Sequence, residues 1–462
     1  MVVANIFLSI LIPIIIGFAV VRSLAGRCIP LGMELSLSYG LGLGIISLWM
    51  LLLYLLGISF SRFSISAPLL LLPLAMGLLI PFRKGPRQRE ELPVVIDSAR
   101  TRHFPHVFPE VILWLYIAVV TMGVVVKSMT LPIMNFDAIA TIGIKAKLFF
   151  FENQAPRLSQ LPHRTYPLLV PFSETWTAFN LGFWHDIFVK IPFLSIFLSF
   201  LVAHYYFLRI VTNRIGATVG LALLLTSNLI VYHSTIAYRD LHLMYYNCTT
   251  IMLILLWFRS KHNSLLLIAG IMAGIGSFTK LEGTAFLLIY CLIVIVCGRL
   301  HYGKVFAKKS GLALLQFLLP SGSVCLWYHL VKISYGATSE GEGIIDKTDF
   351  SIGLNNLALL PHVLHSFMTN LLVSANWNFV WPALLMSMII FVRRKWQSEA
   401  YLLLICLLLF FALYAATAIF SANFVWIAGD KNLTTLSRLI MHFFPLAVQL
   451  LIIIHWHRKL SE

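Results

Sequence analysis

Along this chain apolar residues come in unbroken runs, not in stripes. Runs of 17–25 residues recur from residue 4 onward, and polar residues gather in the gaps between them. About 20 apolar residues in a helix cross the roughly 30 Å of a bilayer's hydrocarbon core. The runs fall at about 4–22, 32–57, 64–82, 110–129, 187–209, 216–232, 241–258, 264–279, 284–298, 311–333, 377–392, 399–420 and 438–455, which makes about 13 spans. They lack the every-second-residue alternation of outer-membrane strands. In lipid the backbone must satisfy its own polar groups, which leaves helices. The pattern therefore predicts an all-α, polytopic transmembrane bundle. The first run has no basic segment before it and no small-residue cleavage site after it, so it is expected to stay as a span.

The gaps alternate in charge. Arg22 and Arg27, the group from Arg83 to Arg102, Arg209 and Arg214, Arg259 and Lys261, Arg299 to Lys309, Arg393 to Lys395, and Arg458 with Lys459 all fall on one side. That side is the cytoplasm by the positive-inside rule. The N-terminus is then outside and the C-terminus inside. The large gap 131–190 is outside too, as are 233–240, 280–283, 334–376 and 421–437. Gap 131–190 is too polar to span and too apolar to be a solvated loop. It holds two helical patterns, at 136–151 and 166–183, expected to be surface helices. In 355–373, Leu357, Leu360, Leu364, Phe367 and Leu371 recur at helical spacing, which predicts another helix lying along the membrane surface. The cytoplasmic gap 83–109, rich in Pro and charge, is expected to be mobile.

Composition agrees with this picture. Of 462 residues 59% are hydrophobic and 11% charged, against about 25% charged in soluble domains. The net charge of +16 would suggest nucleic acid in a soluble protein; here it reflects the cytoplasmic basic clusters, and no nucleic-acid partner is expected. The six cysteines are scattered, without metal spacing or a disulfide pattern.

Candidate chemistry sits in the outer gaps. A charge in or near hydrocarbon costs about 2.5–3.5 kcal/mol on insertion scales, so such residues have a reason to be there. Asn135-Phe136-Asp137-Ala138 precedes Lys145 and Lys147, and Asp137 either caps a helix or presents a carboxylate. His163-Arg164-Thr165-Tyr166-Pro167 leads into a helix with Glu174; His163 is either structural or a ligand. Tyr238-Arg239-Asp240 opens a span, as an interfacial anchor or as site residues. Lys280 and Glu282 break two spans at Thr279–Gly283, and they either pair with each other or face a ligand. Arg438, basic on the outer side against the charge bias, suggests anion binding.

Taken in order, Phe-Asp-Ala…Lys-Ala (136–146), His-x-x-Tyr-Pro-Leu-Leu-x-Pro (163–171), Tyr-x-Asp-Leu (238–241), Thr-Lys-x-Glu-Gly (279–283) and Arg-Leu-x-x-x-x-x-Pro (438–445) resemble bacterial GT-C glycosyltransferases. More narrowly, the series is similar to relatives of dolichyl-phosphate-mannose protein mannosyltransferases and lipid A aminoarabinose transferases. The resemblance covers about 110–455, which separates a GT-C-like catalytic region, including 131–190, from additional spans and a cytoplasmic loop in 1–109. Departures are Phe136, Ile139 and Ile142 where relatives often carry Trp, Arg164-Thr165 within their His-Pro-Asp-Tyr-Pro, and His242 where Pro commonly follows Asp-Leu.

The resemblance implies an inverting transferase in a bacterial inner membrane, with its site facing the periplasm. Its donor is a polyprenyl-phosphate-linked sugar, its acceptor a glycan, lipid or protein, and it needs no nucleotide cofactor. Asp137 would be the base, while Asp240 would orient the acceptor or, with His163, support a divalent cation. Lys280, Arg438, Lys147 and Arg239 would bind the donor phosphate. Lys145, His163, Tyr166 and Glu282 would contact the acceptor or substrate, and apolar grooves among membrane lipids would hold the prenyl tail. Two alternatives share these residues: a polymerase or ligase using a lipid-diphosphate glycan, and a lipid-linked sugar flippase or transporter. A transporter commonly shows matching halves, and none is visible here. A structural scaffold would not need Asp137, Asp240, Lys280 and Arg438 on one side.

Overall fold

The computed structural model describes residues 1–26, 28–79, 107–152, 160–302, 308–336, 350–421, 424–430 and 432–456. The cytoplasmic gap lies outside the described residues over 83–106. Every element among those described is helical. Among the described residues eight helices are long and apolar enough to cross a membrane: Val2–Ala25 (α1), Leu31–Leu55 (α2), Pro109–Thr130 within α4 (Val107–Thr130), Phe188–Val211, which contains α7 (Ile191–Val211), Arg239–Ser260 (α10), Leu281–Tyr302 (α12), Lys309–Ser334 within α13 (Lys308–Ser334), and Ser398–Ile419 (α17). A ninth is formed if α19 (Thr434–Met441) and α20 (Phe444–His455), bent by 54°, make one span.

The remaining expected spans coincide with shorter or interrupted helices. Run 64–82 falls on α3 (Arg62–Leu79), which carries Pro68 and Pro73. Run 216–232 is divided into α8 (Arg214–Leu225) and α9 (Asn228–His233). The division is held by polar contacts: Ser227 donates to the Asn376 carbonyl at 2.9 Å, and Asn378 donates to that of Thr226. Run 264–279 becomes α11 (Ser264–Ser277) and run 377–392 becomes α16 (Val380–Ile390). At 1.5 Å per residue, helices of 14 and 11 residues reach only about 21 and 17 Å. A count of apolar residues does not see such breaks.

The chain divides into two compact units. The first comprises 1–92, 124–203 and 234–338. There α1 and α2 approach backbone to backbone: a side chain at Gly17 would overlap the Ser38 carbonyl, and one at Gly42 that of Pro13. Small residues allow such approach where the hydrophobic effect does not separate helix from lipid. On α10, Tyr245 and Tyr246 donate to the carbonyls of Ser36 and Gly40 of α2, each at 2.8 Å.

The expected surface helices of 131–190 are resolved differently. A π-turn, Ala138–Gly143, runs into α5 (Ile144–Phe151). α6 (Leu169–Leu181) is buried on nearly all sides. Trp176 donates to the Ser9 carbonyl at 3.0 Å, and Phe172 packs edge-on and tilted against Phe60 and Phe149. α6 carries aromatic and apolar residues around its whole circumference, so it packs as core.

The second unit comprises 93–123, 204–233 and 339–462. It includes α14 (Phe350–Asn356), α15 (Leu360–Leu372) and α18 (Phe424–Ile427). Helix is present where 355–373 predicts it, but the buried stripe is Val363, Ser366, Phe367, Asn370 and Leu371; Leu357, Leu360 and Leu364 stay exposed. The bend between α19 and α20 precedes Pro445, whose ring cannot follow the preceding helical turn.

Candidate functional site

Four segments of the first unit converge. α10 begins at Arg239 and carries Asp240 in its first turn, where a carboxylate favours the helix dipole. The break between α11 and α12 brings Lys280 and Glu282 beside it. The Lys280 ammonium lies 2.9 Å from Asp240 Oδ1 and 2.8 Å from Glu282 Oε1. These side chains are 12%, 0% and 6% exposed, so the trio is almost withdrawn from water. Gly283 makes the break possible, since a Cβ there would overlap the Gly276 carbonyl.

The third segment is the π-turn. Arg239, a buried residue, donates from Nη1 to Thr141 Oγ1 at 3.0 Å and from Nη2 to the Thr141 carbonyl at 2.9 Å. Thr141 in turn donates to the Asp137 carbonyl at 2.6 Å. Asp137 is half-buried, and its side chain makes no cap hydrogen bond to the π-turn. Single π-turns inside helices occur frequently at functional sites.

The fourth segment is the turn 163–166. Its ring of Tyr166 lies under the Arg239 guanidinium, 4.9 Å from the centroid. Desolvation first, then the charge of Glu282, holds the Tyr166 phenol above its ordinary range, with Lys280, Arg239 and Asp137 also acting on it. Tyr166 therefore stands within electrostatic reach of Glu282, Lys280, Arg239 and Asp137. Lys145, 0% exposed, donates to the His163 carbonyl at 2.8 Å, and His163 itself adopts a left-handed φ of 47°. Tyr328 of α13 donates to the Thr165 carbonyl at 3.4 Å.

Asp137, Lys145, His163, Tyr166, Arg239, Asp240, Lys280 and Glu282 are thus linked through this one neighbourhood. Lys147 points elsewhere: it is exposed, 3.4 Å from Asp186 and 5.4 Å from the centre of the Trp184 ring. Arg438 belongs to the second unit, half-buried on α19. Its helix is preceded by Asp430, which accepts from the backbone of Asn432 and Thr434 at 3.2 and 3.1 Å; these bonds lower the Asp430 carboxyl below its usual range. Among the described residues no group of three or more His, Cys, Asp or Glu stands ready for a metal ion. Asp240, the expected partner of His163 around a cation, faces the ammonium of Lys280.

Thr141 and Tyr328 were not singled out from sequence. A threonine two residues before a glycine and a tyrosine inside an apolar run carry no local signal of their roles. Glu174 is different: it is the sole acidic residue in α6, and it sits at 0% exposure with neither carboxyl oxygen hydrogen-bonded. No protein-family model, curated protein or solved structure matches this chain.

Proposed function

We propose that the chain is a membrane-embedded inverting glycosyltransferase of GT-C type, with about 13 membrane passes. It would take its sugar from a polyprenyl-phosphate donor at the periplasmic face of a bacterial inner membrane. The observation that carries the reading is the gathering of an Asp137-bearing π-turn, Tyr166, Arg239 and the Asp240–Lys280–Glu282 trio from four distant segments. Charge buried on this scale within a membrane protein is expensive to maintain and points to function.

In the proposed reaction the acceptor hydroxyl oxygen forms a bond to the sugar's anomeric carbon. The bond from that carbon to the phosphate oxygen breaks, the hydroxyl proton passes to Asp137, and polyprenyl phosphate departs with the bonding pair. A positioned carboxylate base contributes about 10²–10⁴-fold. Phosphate leaves without protonation if cations offset its charge, the role given to Lys280 and Arg239, with Lys147 at the approach. Asp240, His163, Tyr166, Glu282 and Lys145 orient the acceptor directly or through the turn they hold. Arg438 keeps a proposed anion-binding role, suggested by its basic charge on the outer side, against the charge bias of the gaps.

A second reading is a lipid-linked sugar flippase, favoured by one feature: the buried, unbonded carboxyl of Glu174 is the kind of group proton-coupled carriers use. Mass spectrometry of lipid-linked sugars in a deletion strain separates the two. Unused donor exposed outside supports the transferase, whereas substrate stranded on the cytoplasmic leaflet overturns it.

A further inference from the structure

Beside the cluster lies a buried carboxyl, that of Glu174, which the proposed mechanism leaves unused. Glu174 Oε2 lies 4.0 Å from where a Cβ on Gly143 would stand, so the carboxyl abuts the π-turn. Both its oxygens and Nε of Arg239 are buried without a hydrogen-bond partner. Arg239 is the strongest of the charges acting on Glu174, yet the two form no ion pair; the guanidinium spends its Nη1 and Nη2 donors on Thr141 instead. An ionised carboxylate left unbonded at this depth beside an arginine would be hard to sustain.

We infer that Glu174 is a positioning residue, held as the neutral acid, whose ionisation would draw Arg239 off Thr141 and loosen the turn that carries Asp137. The role in catalysis rests on the proposed transferase reading; the coupling itself does not. Desolvation holds the Glu174 carboxyl well above the ordinary carboxylate range, with Arg239, Lys147 and Lys190 opposing and Asp186 adding to the rise. The other charged groups on elements packed against α6 are engaged or exposed. Lys145 of α5 holds the His163 carbonyl, Arg22 and Glu34 of α1 and α2 pair with each other at 2.8 Å, and Arg62 of α3 is exposed.

The sign follows from proton linkage. A folded-state carboxyl raised above its unfolded value binds more protons folded than unfolded, so its share of stability is present at low pH and is lost as pH rises toward the folded value. Thermal unfolding of the full chain in detergent, from pH 5 to pH 9, tests this. The melting temperature of Glu174→Gln should exceed that of wild type by a margin that widens with pH; a margin constant over the range overturns the inference. Should that variant not fold, hydrogen exchange of wild type over 138–151, corrected for intrinsic rates, takes its place. Protection there should fall severalfold at high pH relative to α10, and unchanged protection overturns the inference. Neither readout involves turnover, so an absence of transferase activity would strike the reading of the site and leave this test intact.

Discussion

One buried polar cluster in each unit shows two different chemistries. The first uses charges, with Arg239 on Thr141 and Lys280 between Asp240 and Glu282. The second uses neutral groups: Asn370 and Asn376 donate to Ser437 at 2.8 and 3.0 Å, Trp377 donates to Asn370 at 2.9 Å, and Tyr414 meets His442 at 2.7 Å. Neutral networks fix helices at modest desolvation cost and need no further explanation. Buried ion pairs barely recover their desolvation, and an apolar replacement is often as stable. A cluster that keeps its charges under those conditions has a use for them.

The comparison is broken most severely at Asp137. Asp137→Asn is expected to abolish sugar transfer by the purified protein while its melting temperature stays near that of wild type; full activity would remove the base. Lys280→Ala comes next, because it leaves two buried carboxylates facing each other. Loss of one partner of a buried pair costs about 3–5 kcal/mol, and a denaturant or thermal series in detergent should show it. A loss no larger than that of a surface lysine would mean the trio is open to water.

A smaller effect should follow from Asn370→Ala, which strands Trp377 and withdraws a bond from Ser437. About 1–3 kcal/mol is expected for an unsatisfied buried partner, with binding of a prenyl phosphate unchanged; weakened binding would show that the neutral network serves the ligand too. The mildest test is Glu282→Gln. Lys280 then keeps one carboxylate in place of two, and affinity for farnesyl phosphate should rise about tenfold, equivalent to about 1.4 kcal/mol. The gain should shrink as salt is raised. No gain would mean that Lys280 is a structural cation rather than a phosphate ligand.

Much of this was legible along the chain. Long apolar runs imply helices in lipid whatever their neighbours, since no other open structure satisfies its backbone there. The residues worth watching were legible too, because Asp137, Arg239, Asp240, Lys280 and Glu282 interrupt otherwise apolar surroundings. Their partners were not. The alternatives that Lys280 merely pairs with Glu282, or that Asp240 merely anchors a helix, are separated by contacts 40 residues apart in sequence, which periodicity cannot register. Where the runs break was hidden for a related reason: hydropathy sums residues, while the divisions at Thr226–Ser227 and Pro445 depend on hydrogen bonds and ring geometry.

The sequence by itself determined the solvent. Apolar residues in runs of bilayer length, with basic residues in alternate gaps, prescribe a helical membrane protein without any knowledge of its packing. Tertiary structure alone decided that α6 is core rather than surface, that a threonine on a π-turn holds the Arg239 guanidinium, and that Glu174 is sealed beside them. Burial is a property of what the rest of the chain places around a residue. A carboxylate reads the same in sequence whether water reaches it or not.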